Sequence, residues 1–143
     1  MPAYTDQAAL VQRYGADMLI RATDRGAVAT GAIDADVVAK ACQDASDIID
    51  GYLAGRYALP LASIPPLVAA LAEDIAIWRL HPYEPDPKLK ADFDAAMRSL
   101  RDIGSGAIRL PAAGVEPATT GGTGALFTDR ERPMTADSMK GWI

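Results

Sequence analysis

Cysteine, histidine and aromatic side chains are all scarce in this chain. Cys42 is the single cysteine and His81 the single histidine among 143 residues, and Phe, Trp and Tyr together make up 6%. One cysteine closes no intrachain disulfide. Lying inside a helical pattern, Cys42 is expected to be a small core residue in a reducing compartment rather than a catalytic thiol. A hydrolase triad needs a base within reach of a nucleophile, and no G-x-S-x-G elbow is present. His81 precedes a proline at a helix end, where it is expected to meet last-turn carbonyls. No run of about 18 apolar residues occurs, so no membrane span is expected. The opening Met1-Pro2-Ala3-Tyr4-Thr5-Asp6 has neither a basic nor an apolar signal region, so no secretion signal is expected. Net positive charge is missing too. Residues 1–103 carry 10 Lys/Arg against 15 Asp/Glu, whereas residues 104–143 carry four of each. An acidic body argues against gripping phosphate backbones, which takes cationic neutralisation. It suits a surface that DNA passes without sticking.

What the chain does have is helical patterning. Half of its residues are hydrophobic and Ala is abundant, which favours helices with small, closely packing faces. Thr5 is the expected cap of a first helix reaching Tyr14, and Gly15 interrupts before a second helix from Ala16 to Thr23. Asp24-Arg25-Gly26 reads as a turn and Ala27 to Ile33 as a loop. Asp34 caps the strongest pattern. Val37, Val38, Ala41, Cys42, Ala45, Ile48, Ile49, Tyr52 and Leu53 recur every three or four positions, and the helix ends near Gly55. A fourth helix enters through Ile64-Pro65-Pro66 and stops at Pro82, with Leu67, Val68, Leu71, Ala72, Ile75 and Trp78 as its stripe. Pro82-Tyr83-Glu84-Pro85-Asp86-Pro87 forms a rigid loop of alternating prolines. Asp86 caps a fifth helix to Ile103, with Gly104 as its C-terminal stop. Ala107 to Leu110 could make a very short strand, and Ala112 to Gly124 has linker composition.

The expected fold class is all-α. Residues 1–104 form a small bundle of about five helices with one long central helix, and residues 105–143 form an extended, Gly/Pro-rich C-terminal arm.

Candidate chemistry is thin. Asp44, Asp47 and Asp50 follow one another at three-residue spacing and are expected to share a face. That face could be solvated, could meet an Arg of a neighbouring subunit, or could collect a hard cation. Gly121, Gly122 and Gly124 lack the Lys-Ser/Thr of a phosphate loop and read as spacer. Arg13, Arg21, Arg25, Arg56, Arg79, Arg98 and Arg101 are dispersed, as on surfaces that meet other subunits through carboxylates. No catalytic residue, cofactor or bound metal is expected. The arm closes on Met139-Lys140-Gly141-Trp142-Ile143. An apolar tip on a flexible arm could be a bare end, could fold back on its own subunit, or could dock on another chain. Docking is the expectation, because aromatic anchors dominate interfaces. The anchors would be Met139, Trp142 and Ile143.

The stretch Ile49-Asp50-Gly51-Tyr52-Leu53-Ala54-Gly55-Arg56-Tyr57-Ala58-Leu59-Pro60-Leu61 resembles the signature of small proteins from the structural gene clusters of Mu-like phages and prophages. Tyr4 to Asp24, Ile64-Pro65-Pro66-Leu67 with Asp74-Ile75-Ala76, Arg98 to Asp102, and the closing Arg132 to Trp142 are similar to that family as well. The resemblance implies a virion protein at the head–tail interface, made in the host cytoplasm: a connector, also called an adaptor or head-completion protein. It implies a homo-oligomeric ring of about twelve copies beneath the portal protein. The arm would reach onto the portal or a neighbouring copy, and a stopper or tail terminator protein would sit on the tail side. DNA would pass without specific binding, and Asp44, Asp47 and Asp50 are weak candidates for a channel face. Two other readings compete: a small helical DNA-binding regulator, and a metal-dependent hydrolase using the same three aspartates.

Overall fold

The computed structural model describes residues 3–112. Five helices follow in order: α1 (Gln7–Tyr14), α2 (Ala16–Thr23), α3 (Ala35–Leu53), α4 (Pro66–Leu80) and α5 (Pro87–Ser105). Among the described residues there is no strand, and no helix is long and apolar enough to cross a membrane.

Local chemistry accounts for most of the boundaries. The cap of α1 is Asp6, whose carboxylate accepts from the Ala9 N–H at 2.8 Å. Thr5, the expected cap, is buried instead. A side chain turned into the body leaves the adjacent aspartate to satisfy the first-turn N–H groups. Gly15 has φ +88°, so the chain leaves α1 and enters α2 through a single residue. The Thr23 hydroxyl donates to the Leu19 carbonyl at 2.7 Å and accepts from the Asp34 N–H at 3.1 Å, which closes the loop between α2 and α3. Within that loop the Asp24 carboxylate accepts from the N–H groups of Thr30 and Gly31, and these bonds hold it below the usual carboxylate range. Asp34 caps α3 through the N–H groups of Asp36 and Val37, and Asp86 caps α5 through that of Lys88.

The buried stripe of α3 is Val38, Ala41, Cys42, Ala45, Ile49 and Leu53. α4 differs. Val68, Leu71, Ala72, Ile75, Ala76, Ile77 and Leu80 are all buried, so the helix is apolar almost all round, and it packs against each of the other four. A helix without a polar face belongs inside a bundle. α3 and α5 are the long helices, 19 residues each, and α4 is the element they enclose. Buried alanines on both α3 and α4 let these backbones approach closely. Each enclosed Leu or Ile contributes roughly 1.5–3 kcal/mol of transfer free energy. Trp78 of α4 stacks on Phe93 of α5 at 4.8 Å between ring centroids.

α5 runs two residues beyond Ile103, and its left-handed terminal residue is Gly106, with φ +86°, rather than Gly104. Gly104 lies inside the helix, where a Cβ would come within 3.3 Å of the Tyr52 carbonyl oxygen. The expected strand at Ala107 to Leu110 does not form, because no strand lies beside it to pair with. The Ile108 N–H returns to the Asp102 carbonyl at 3.1 Å, and Leu110 is buried. The packed body therefore continues past the expected boundary at residue 104. Met139, Trp142 and Ile143, with the rest of the expected arm beyond Ala112, lie outside the described residues.

Candidate functional site

Two places on the body stand out once the helices are assembled: the last described turns around Gly106 and Leu110, and a cleft toward the opposite end.

The first is held by the Ile49–Leu61 segment. Leu53 is fully buried at the end of α3, and Tyr57 is buried just after it. The Tyr57 hydroxyl accepts from the Leu110 N–H at 3.0 Å, a contact spanning 53 positions. A Cβ on Gly106 would lie 2.5 Å from the Arg56 guanidinium carbon, so this cation is seated against the glycine. Tyr52, Arg56 and Tyr57 thus clasp residues 104, 106 and 110 in turn. Their roles are invisible in spacing, since each contact joins the end of α3 or the residues just after it to a point some fifty positions away. The only trace in the sequence is the density of Tyr and Arg in one short segment.

The opposite end is where α4 finishes and α3 begins, shown by Arg79 and Leu80 sharing one depression with Asp36 and Lys40. Here the proline loop folds beside α2. Between them is an open cleft of about 550 Å³, floored by Met18, Ala22 and Pro82 and rimmed by Asp17, Arg21 and Glu84. Tyr83 stands at its edge, 85% exposed. A second, shallower depression lies on the other side of the same tyrosine, against Trp78 and Lys90.

The three aspartates of α3 do not form a cluster. Asp44 pairs with Lys40, and Asp47 accepts from Gln43 at 2.8 Å and is exposed. Asp50 is half-buried and accepts from the Tyr4 hydroxyl. Successive steps of three positions fan around a helix by about 60° each, so the outer two point in different directions. Tyr4 is itself pinned, its N–H donating to Ser46 Oγ at 2.9 Å. Burial, then the neighbouring Asp50, push its phenol above the usual range and keep it a donor. Among the described residues no three His, Cys, Asp or Glu side chains gather as a metal site.

The remaining candidates have structural employment. His81 Nδ1 lies 2.7 Å from the Ile77 carbonyl, as its helix-end position implied. Cys42 is 3% exposed, and burial pushes its thiol up to about 11, far from a thiolate at neutral pH. Arg13 straps α1 to α4, reaching Glu73 at 3.0 Å and Asp74 at 2.6 Å, and the Tyr14 hydroxyl donates to the same Asp74 oxygen at 3.0 Å. Burial raises the Asp74 carboxyl above its ordinary range, and Arg13 partly offsets that. Arg25 donates to the carbonyls of Ala22 and Leu80. Several of the dispersed arginines are thus spent on the fold itself, which sequence spacing did not reveal.

Comparison with known proteins agrees with the resemblance carried by the Ile49–Leu61 segment. The family model described as Bacteriophage Mu, Gp36 matches residues 4–128, a span that includes all five helices. The chain is 27% identical over 143 residues to the Mu-like prophage FluMu protein gp36 of Haemophilus influenzae, covering 100% of both chains. It is 29% identical over 119 residues to Gene product J of Escherichia phage Mu, covering 83% of this chain and 84% of that protein. The chain belongs to the bacteriophage Mu Gp36 family and is a protein of the Mu-like phage type.

Proposed function

We propose that this chain is a structural protein of the virion, a head–tail connector. It assembles as a homo-oligomeric ring beneath the portal protein and meets a stopper or tail terminator protein on the tail side, with DNA passing through. The observation that carries this reading is the clasp after α5: Tyr57 and Arg56 hold the chain as far as Leu110. From there it continues into a segment that closes on Met139-Lys140-Gly141-Trp142-Ile143. A held root followed by a Gly- and Thr-rich sequence with apolar residues at its end is suited to docking on another chain, and copies in a ring add avidity to each weak contact. Family membership supports the phage setting.

A non-catalytic role goes with it. The Cys42 thiol is buried, and His81 is turned to its own helix. The body's acidic balance favours passage of DNA over its capture. α2 presents Asp17 beside Arg21, a poor recognition helix for the competing DNA-binding reading.

The test is co-assembly. Purified full-length chain mixed with the portal protein of the same phage should co-sediment with it and add a ring of density in negative-stain images. Portal particles that emerge unchanged at saturating chain would refute the connector role.

A further inference from the structure

We infer that the cleft between α2 and the proline loop is the seat for residues 132–143 of a second copy of this chain. The inference rests on the ring reading in one respect, that a second copy stands alongside.

Three observations favour this occupant. The first is the chemistry of the cleft. Its floor of Met18, Ala22 and Pro82 is apolar, and Tyr83 projects at its edge with 85% of its surface exposed. Pro82 and Pro85 flank that tyrosine, so little conformational freedom is left to lose when something packs on it. An exposed aromatic held by prolines beside an apolar floor is suited to another aromatic, and Trp142 with Ile143 supplies an aromatic and an aliphatic group together.

The second is charge. The rim carries two acidic groups and one basic one, Asp17, Glu84 and Arg21, and residues 132–143 carry the reverse, Arg132 and Lys140 with Asp137. Glu84 is 81% exposed and stands 3.9 Å from Lys90 Nζ, at the limit of an ion pair, so its carboxylate is open to an arriving ammonium. The complementarity sets register more than strength, since exposed pairs are each worth little.

The third is reach and direction. The described residues run to Ala112 just past Leu110, which is held at Tyr57 beside the C-terminal end of α3, and the cleft lies at the end of α4, toward the N-terminal end of α3. Nineteen residues of α3 separate them by roughly 28 Å at 1.5 Å per residue. A donor site at one end of a body and an acceptor site at the other make a heterologous, head-to-tail contact, the kind that closes rings. Residues 113–143 are long enough to bridge adjacent bodies, at up to ~3.5 Å per residue when extended.

The experiment uses a synthetic peptide of residues 130–143 and the full-length chain carrying Trp142→Ala, whose own segment competes poorly. The peptide should bind saturably. Adding Tyr83→Ala to that chain should weaken binding on the order of tenfold or more. Tyr83 is exposed, so the fold is not at stake. Glu84→Lys should weaken the native peptide and be rescued by a peptide carrying Lys140→Glu. Absence of saturable binding, or binding indifferent to Tyr83→Ala, overturns the inference.

A mixture of the Trp142→Ala and Tyr83→Ala chains then decides whose cleft is filled. Zero-length carbodiimide cross-linking should join the segment of the Tyr83→Ala chain to the cleft of the Trp142→Ala chain. Cross-links confined within single chains, in the mixture and in the unsubstituted protein alike, would show self-docking and contradict a second copy. Peptide binding that fails while the full-length chain still co-assembles with the portal sinks this inference alone. The opposite pair of results sinks the connector reading alone.

Discussion

Replacing Gly106 by Val is expected to lower stability by about 2–3 kcal/mol, read as a shift in the urea midpoint at unchanged slope. Two costs combine. The backbone at residue 106 sits at φ +86°, ψ 8°, a left-handed geometry that an L side chain reaches at a cost of roughly 1–2 kcal/mol, and a β-branched one least easily. The new Cβ would also lie 2.5 Å from the Arg56 guanidinium carbon, so that half-buried cation must leave its seat. The substitution acts at the root of the C-terminal segment, so the path toward Leu110 should loosen with it. Increased proteolytic cutting after Arg109 would report this. Gly51→Ala makes the control. That glycine is exposed within α3 and a Cβ there meets nothing within 4 Å, so the change should stabilise by about 0.5–1 kcal/mol. Equal effects at the two positions would contradict the assignment of Gly106 as a conformational stop.

Removing residues 133–143 is expected to leave the body folded and to weaken assembly on the portal on the order of a hundredfold or more. All five helices lie between residues 7 and 105, and the last buried contact described is that of Leu110, so the helical circular-dichroism signal and the thermal midpoint should barely move. The lost binding would come from the contact of Met139, Trp142 and Ile143 with a neighbouring copy, without which each chain meets the portal singly and loses the avidity of the ring. Trp142→Ala alone should account for at least a tenfold share, because aromatic anchors carry a disproportionate part of interface energy. Full-strength docking by the truncated chain would place the contact elsewhere on the body and remove the reason for assigning these anchors.

The helical architecture was legible where the signals are local. The limits of α2, the caps at Asp34 and Asp86, and the stop before Pro82 all follow from groups within a few positions of the boundary. The misreadings come from ambiguity between neighbours or from distance. Thr5 and Asp6 are both good caps, and only the burial of Thr5 decides between them. Gly104 and Gly106 flank a single serine, and only the sign of φ separates the helical glycine from the terminal one. The three aspartates sit at a spacing that turns each about 60° from the last, and only the structure shows Lys40, Gln43 and Tyr4 taking them one each.

The proposed contact surfaces are only half legible in the sequence. Composition pointed to the apolar tip, and the Ile49–Leu61 segment pointed to the phage family. The cleft was out of reach, since it arises only when residues 82–84 fold beside α2, some sixty positions earlier. Its single local sign is the proline loop around Tyr83.

In the proposed role a helical body takes its place in the virion by lending its C-terminal segment to another chain. Electron cryomicroscopy of purified, intact particles tests this most directly. The expected result is a ring of five-helix bodies between portal and tail, with Trp142 enclosed against a neighbouring chain. Particles from which this chain is missing, or a ring in which Trp142 faces solvent, would contradict it.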